Sequence, residues 1–253
     1  MNTTQPLAGK VAVITGSSKN MGRAFAEALA RLGADITLHY HTPAAKNDVE
    51  ETARLVRGQG TRAIVVGGDL ANLATVRQIF GETLGAFGRV DIVINNAGVI
   101  IKKLFVEVTE EDFDRSFGIN AKAAFFVMQE AARHISDDGR IINMGTTLLG
   151  ATTAFYGVYA GSKAPLEDFS RALAREIGSR GVTVNTIAPG PIDDSFYHGQ
   201  ENAQSVAYAT HASVAGRLGK IEDIVPLIEF LALPQSHWIT AQTLFINGGY
   251  LAR

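Results

Sequence analysis

Val11-Ala-Val-Ile14 runs into Thr15-Gly16-Ser17-Ser18-Lys19-Asn20-Met21-Gly22, and Arg23-Ala-Phe-Ala-Glu27 follows at once. The apolar, β-branched run reads as a buried strand and the glycines and serines as a tight turn. Apolar residues three and four apart from Met21 to Leu32 read as an amphipathic helix. A glycine-rich turn between a strand and a helix N-terminus suits a cofactor diphosphate. Glycines let the backbone approach it, and the free N–H groups and partial positive charge of the helix start stabilise it. An ordinary strand-to-helix loop also carries glycine and serine, so the stretch settles the fold unit before it settles the ligand.

The same alternation continues outward. Further strands are predicted at 36–40, 63–66, 90–94, 140–143, 182–187 and 243–246, with helices over 21–32, 46–58, 72–87, 110–135, 157–178 and 221–232. Nearly continuous apolar strands are buried on both faces, which predicts a seven-stranded parallel α/β sheet between helices. Right-handed crossovers make such a sheet doubly wound and place its ligands beyond the carboxyl ends of the strands. No Pro/Ser-rich, low-complexity or single-sign segment divides the chain, so residues 1–253 read as a single domain.

Composition removes several classes. The chain is 46% hydrophobic and 19% charged, with 23 Lys+Arg against 25 Asp+Glu, a formal net charge of -2, and no cysteine. That balance offers no basic field to a phosphate backbone, so no nucleic-acid partner is expected. Without cysteine there is no disulfide framework, thiolate metal site or cysteine nucleophile, and a reducing, cytoplasmic location is expected. Met1 to Lys10 lacks the apolar stretch of a signal peptide, and no run approaches the ~18 apolar residues of a membrane span. A soluble, unprocessed chain with no membrane partner is the expectation.

Three more pieces fall at or just beyond strand ends: Asn95-Asn96-Ala97-Gly98, Gly145-Thr146-Thr147, and Tyr159-Ala-Gly-Ser-Lys163 at the opening of a long helix. Tyr159 and Lys163, four apart, share a helix face with Cβ atoms about 5–6 Å apart. An ammonium that close favours tyrosinate and is expected to pull the phenol below its usual ~10. Taken alone, the pair could equally be a solvated helix face.

The ordered set of motifs resembles the short-chain dehydrogenase/reductase family, in its carbonyl- and β-ketoacyl-reducing branch, over nearly the whole chain. Thr15 to Gly22 is similar to the family's TGxxxGxG turn, Asp69-Leu70 to its adenine-facing pair, and Asn95 to Gly98 to its NNAG segment. Asn120 falls on its helix asparagine, and Thr146 on its active serine, thirteen residues before Tyr159. Pro189-Gly190 matches the turn beside the nicotinamide, while Arg217 to Ile224 and Asn247-Gly-Gly249 resemble the C-terminal signature. The resemblance implies a Rossmann-type domain. It makes Tyr159 the general acid in carbonyl reduction and Lys163 the residue that holds the nicotinamide ribose and lowers the tyrosine pKa. Thr146 orients the substrate oxygen, and Asn120 holds a water that links the lysine to solvent. The implied cofactor site takes Gly16, Ser18, Lys19, Asn20, Met21 and Gly22 from the turn, and Tyr40, His41, Thr42, Asp69 and Leu70 from the adenosine end. Asn96, Ala97, Gly98, Tyr159, Lys163, Pro189, Gly190 and Ile192 complete it. No metal is required.

The sequence departs from that pattern at four places. Asn20 replaces the middle glycine, but asparagine reaches positive φ at modest cost. Thr146 keeps the serine hydroxyl and adds a methyl that stiffens χ1. Asp194 stands where the family usually has a threonine that holds the nicotinamide carboxamide; either Ser195 takes that part or the loop is arranged differently. Pro165, inside the helix pattern, cannot donate to the Gly161 carbonyl and predicts a bend.

Cofactor preference is set at the tip of the second strand, where a carboxylate would bond the ribose hydroxyls and repel a 2′-phosphate. The tip reads His39-Tyr40-His41-Thr42 and holds none, while Lys19 offers a cation. This is similar to NADP-preferring members, so NADPH and the reductive direction are expected. His39 and His41 alternate onto one face, but no third ligand stands near them to complete a metal site.

The substrate loop is expected at about 191–215, with Leu148, Tyr156 and Phe196 lining an apolar, aromatic pocket for a small-molecule carbonyl substrate. Arg217 either approaches that loop or lies on the surface. Family resemblance implies a homotetramer, with Ala124, Phe125 and Phe169 as contact or core residues. Two rival functions stay open. Tyr156, seven residues before Lys163, has the spacing of the enoyl-thioester-reducing branch, and a non-catalytic NADP sensor would keep the turn and lose the chemistry.

Overall fold

A computed structural model describes residues 5–151 and 153–252. The reading of Met1–Thr4 lies outside them. The strands are β1 (Val11–Ile14), β2 (Asp35–Tyr40), β3 (Ala63–Gly67), β4 (Val90–Asn95), β5 (Ile135–Met144), β6 (Thr183–Pro189) and β7 (Thr243–Ile246). They form one parallel sheet in the order β3-β2-β1-β4-β5-β6-β7. This is the doubly wound, Rossmann-type arrangement expected, with the order reversing between β1 and β4.

The helices are α1 (Asn20–Arg31), α2 (Lys46–Gly58), α3 (Leu73–Phe87), α4 (Glu110–Phe117), α5 (Ala124–His134), α6 (Gly157–Lys163), α7 (Pro165–Ile177), α8 (Ser195–His198), α9 (Ala203–Ala212) and α10 (Ile221–Ala232). β1 shows why the strands read as apolar runs. Ala12 and Ile14 pack with Phe25 and Leu29 of α1 and Ile228 of α10, whereas Val13 packs with Ile79 and Phe80 of α3 and Val127 of α5. Alternate residues feed opposite cores, so neither face has room for polar side chains.

Local chemistry sets several boundaries. Asn72 caps α3 by accepting from the Ala74 N–H at 3.0 Å, and Gly88, at φ +77°, ends it. Thr109 and Asp112 form a reciprocal capping box at the start of α4. The single helix expected over 110–135 is divided by a π-helical turn, Gly118–Ala123, which carries Asn120. Pro165 interrupts its helix as expected, separating α6 from α7 at Ala164. The short helices α8 and α9 lie in the expected substrate loop, where the sequence pattern gave no helix.

A buried polar chain ties the middle strands to the helices above them. Asn95 donates to the Ala124 carbonyl and to Asn143 Oδ1. Asn143 donates to Ser170 Oγ, which lies 2.8 Å from Thr186 Oγ1. Such satisfied networks fix one packing among several apolar alternatives.

Candidate functional site

The glycine turn is as tight as backbone allows. Gly16 has φ +65°, and a Cβ on Gly22 would stand 2.2 Å from the Gly16 carbonyl oxygen and 2.8 Å from Asn96 Nδ2. Asn20 has φ +50°, so it takes the left-handed conformation expected of it. Asn96 fastens the turn to β4: its Nδ2 donates to the Thr15 and Gly16 carbonyls, each at 3.0 Å. Thr15 Oγ1 in return accepts from the N–H groups of Asn96 and Ala97. The N-cap of α1 is Lys19, which makes no side-chain cap, and its first turn carries no acidic residue. The N–H groups at that helix start are thus left to an anion.

Two supports of this turn have no sequence signature. His39 is buried, its Nδ1 accepting from the Gly16 N–H at 3.1 Å and its Nε2 facing the Gly68 carbonyl at 2.9 Å. Those partners require a neutral ring protonated at Nε2, and burial drives its pKa down to about 4. Both ring nitrogens are committed, which removes His39 from any metal pair with His41. Arg23 bonds the carbonyls of Ser18 and Asp48 and Thr52 Oγ1, and so locks the turn to α2.

At the adenosine end, Tyr40 lies against Gly67, and His41 Nδ1 stands 3.7 Å from Asp69 Oδ1. Lys19, His41 and Thr42 are exposed. The Leu70 side chain is buried with Val66 and Val76 in the core, which leaves its backbone to face a ligand.

Beyond the turn opens a cleft of about 1050 Å³. Met21, Thr146, Leu148, Tyr156, Tyr159, Pro189, Gly190, Ile192 and Phe196 line it together. Asn120 and Lys163 stand behind this wall. A Cβ on Gly98 would meet Asn120 Oδ1 at 3.1 Å and Lys163 Nζ at 3.2 Å, so the two converge closely on this glycine. The Asn120 carboxamide is largely spent. Nδ2 donates to the Val99 carbonyl and Ser162 Oγ, and Oδ1 accepts from the Val99 N–H, which leaves one Oδ1 lone pair for the expected water.

Tyr159 and Lys163 correct the expected electrostatics. Lys163 donates to the Met144 carbonyl at 2.8 Å, and burial presses its pKa down to about 8. Burial raises Tyr159 to about 12, opposed by a hydrogen bond from Thr146 and reinforced by the Asp194 charge. The phenol is pushed up, not down. Desolvation of both groups outweighs the attraction that their spacing suggests.

The outer wall holds the residues that sequence reasoning missed. Glu201, in the loop between α8 and α9, accepts from the Tyr156 hydroxyl and pairs with Lys102 at 2.5 Å; its side chain is 2% exposed. Lys102 also lies over the Tyr156 ring, 5.4 Å from its centroid. Asp194 caps α8, and Ser195 Oγ bonds Asn20, tying the loop to the glycine turn. Arg217 does not enter the cleft lining; it pairs with Asp223 at 2.6 Å. Ala124 is buried within the chain, while the half-exposed Phe125 meets Phe169 edge to face at 5.0 Å.

A family model described as Enoyl-(Acyl carrier protein) reductase matches residues 16–251. A "Short-chain type dehydrogenase/reductase" from Picea abies is 38% identical, over 96% of this chain and 93% of the relative. An "NADPH-dependent aldehyde reductase-like protein, chloroplastic" from Arabidopsis thaliana is 36% identical, over 97% and 96%. The crystal structure of a putative dehydrogenase from Burkholderia cenocepacia with bound NADP superposes with TM-score 0.95 at 42% identity, over 100% of this chain and 97% of that one. Among the described residues, no helix is long and apolar enough to cross a membrane.

Proposed function

The chain belongs to the short-chain dehydrogenase/reductase family, and from that premise we propose that it is an NADP(H)-dependent oxidoreductase that reduces a ketone or aldehyde to an alcohol, reversibly. The observation that carries this reading is Tyr159, a buried phenol raised to about 12 that shares a cleft wall with its hydrogen-bond partner Thr146. A general acid must keep its proton through the neutral range until the transition state calls for it.

The residues present fit the cofactor. The Gly16–Gly22 turn, closed to any Cβ, and the uncapped start of α1 suit a dinucleotide diphosphate. Ser18, Lys19, Asn20 and Met21 flank that diphosphate. Lys19, Tyr40, His41 and Thr42 offer donors to a 2′-phosphate, with no carboxylate at the strand tip to repel it. Asp69, the Leu70 backbone, and Asn96, Ala97 and Gly98 take the adenosine and ribose. Pro189, Gly190 and Ile192 would flank the nicotinamide. When bound, NADPH supplies a hydride to the carbonyl carbon.

The protein's own part is positional and electrostatic. Thr146 donates to the oxygen on which charge develops, and Tyr159 delivers its proton there. Lys163, cationic below about pH 8, stabilises the tyrosinate left behind and holds the ribose. Asn120 clamps the Gly98–Val99 backbone against that lysine. Leu148, Tyr156 and Phe196 exclude water around the reacting carbon. The half-exposed Phe125 face and the exposed Phe105 and Val106 suit assembly into the homotetramer of the family, which sedimentation would measure.

Enoyl-thioester reduction is the second reading, favoured by the description of the matching family model and by the Tyr156 spacing. Against it, the Tyr156 hydroxyl is donated to Glu201, and burial with that carboxylate raises its pKa further than that of Tyr159. The test is loss of NADPH absorbance over ketones, diketones, aldehydes, quinones and one enoyl thioester, each repeated with Tyr159→Phe. Ketone or aldehyde turnover that vanishes in the variant is expected. Turnover confined to the enoyl thioester and surviving in the variant overturns the assignment. A protein that binds NADPH and reduces none of them fits the sensor reading instead.

A further inference from the structure

Asp194 presents a buried charge that its structural role does not explain. Its Oδ1 accepts from the N–H groups of Phe196 at 3.0 Å and Tyr197 at 2.9 Å, which caps α8. Its Oδ2 is buried without a hydrogen-bond partner among the described residues, in a residue only 9% exposed. A cap needs one oxygen, and asparagine or serine would serve as well with no charge to desolvate. Leaving half of a carboxylate unpaired in the interior is costly. His198, itself bonded to Asp193 at 2.7 Å, favours the charge only through space, and burial still holds the Asp194 carboxyl above the usual carboxylate range. Lys102, the cation on the opposite wall, is taken by Glu201.

Asp194 belongs to the lining of the same cleft as Thr146, Tyr159, Gly190 and Ile192, its Oδ2 set just beneath the surface, and its charge reaches Tyr159. An ionised carboxyl oxygen can only accept a hydrogen bond or face a cation. On the reading given above, the group brought between Gly190–Ile192 and Tyr159 is a nicotinamide, cationic when oxidised and neutral when reduced. We infer that Asp194 is a specificity-determining residue for the redox state of the cofactor, its free oxygen favouring binding of NADP+ over NADPH. Bound NADPH would supply a hydride, with its electron pair, to the carbonyl carbon and would carry a cationic ring afterwards, the charge that the Asp194 carboxylate would favour. A site that holds the oxidised ring more tightly makes the bound reduced cofactor a stronger hydride donor. The same carboxylate discourages ionisation of Tyr159 and keeps the acid protonated. The first effect drives carbonyl reduction, the second only keeps Tyr159 in its acid form, and a neutral threonine at this position would supply neither.

Dissociation constants for NADP+ and for NADPH, measured by calorimetry on the wild type, Asp194→Asn and Asp194→Ser, test this without any turnover. Both variants keep an N-cap acceptor, and their thermal unfolding checks that the loop is intact. In each, NADP+ binding is expected to weaken about tenfold while NADPH binding changes less than about threefold, the scale of one screened charge. Equal weakening of both forms reduces Asp194 to a structural cap and overturns the inference, as does an unchanged ratio. If the wild type binds neither dinucleotide, the cofactor reading itself fails and takes the inference with it; binding of both at an unaltered ratio defeats the inference alone.

Discussion

His39 makes the glycine turn sensitive to acid, and the size of the effect follows from its two bonds. The ring accepts from the Gly16 N–H through Nδ1 and reaches the Gly68 carbonyl through Nε2, so only the neutral form fits. Burial holds its pKa near 4 in the folded chain against 6.5 for a free histidine. Below pH 6.5 the unfolded chain takes up a proton that the folded chain refuses, so stability falls with pH until both forms are protonated below about 4. The full loss is about 3 kcal/mol, with about 2 kcal/mol already gone at pH 5. That is a large share of the 5–15 kcal/mol typical of a folded domain. His39→Asn keeps an acceptor for Gly16 but cannot titrate. Urea unfolding at pH 7 and pH 5 is the assay. The variant is expected to be the weaker protein at pH 7, because Gly68 loses its partner. Its further loss on going to pH 5 should be about 2 kcal/mol smaller than that of the wild type. Equal losses in the two proteins would refute the neutral-ring account.

Lys163 sets the opposite limb. Its pKa, lowered to about 8 by burial, means that the ammonium is lost as pH rises through 8, so kcat/KM for reduction should fall there, well before Tyr159 titrates. A profile flat to pH 9.5 would contradict this. Gly22→Ala places a methyl 2.2 Å from the Gly16 oxygen, and overpacking of about 1–3 kcal/mol corresponds to roughly five- to 150-fold weaker NADPH binding. Fluorescence titration reads it directly, and an unchanged dissociation constant would show that the turn does not hold the cofactor.

Backbone-determined features were legible in the sequence, and the reason is local. Gly16 and Asn20 are constrained by positive φ, Gly22 by the close approach of the Gly16 backbone, and the strand runs by burial on two faces, so each signal lies within a few neighbouring residues. The π-helical turn at Asn120 was not legible, because the apolar spacing of 110–135 passes through it with one continuous helical pattern. Nor were α8 and α9, short helices closed by Asp194 and Asn202 caps in a segment with weak periodicity.

The sign of the Tyr159 shift fails for a related reason, and the failure bears on the chemistry. Spacing reports that an ammonium is near a phenol, but not that both are out of water or that the Met144 carbonyl takes the ammonium's hydrogen bond. Desolvation penalises tyrosinate and ammonium alike, so the pair starts with its proton on Tyr159 and with lysine less basic than usual. An acid arranged this way gains driving force only when a negative oxygen forms beside Thr146, since that is the moment a proton is worth more on the substrate than on the phenol. Asp194, whose charge reaches Tyr159, and the Lys102–Glu201–Tyr156 cluster in the same cleft come from loops far apart in the chain. Their meaning exists only once the sheet has brought its carboxyl ends together, and it is there that substrate choice must be decided.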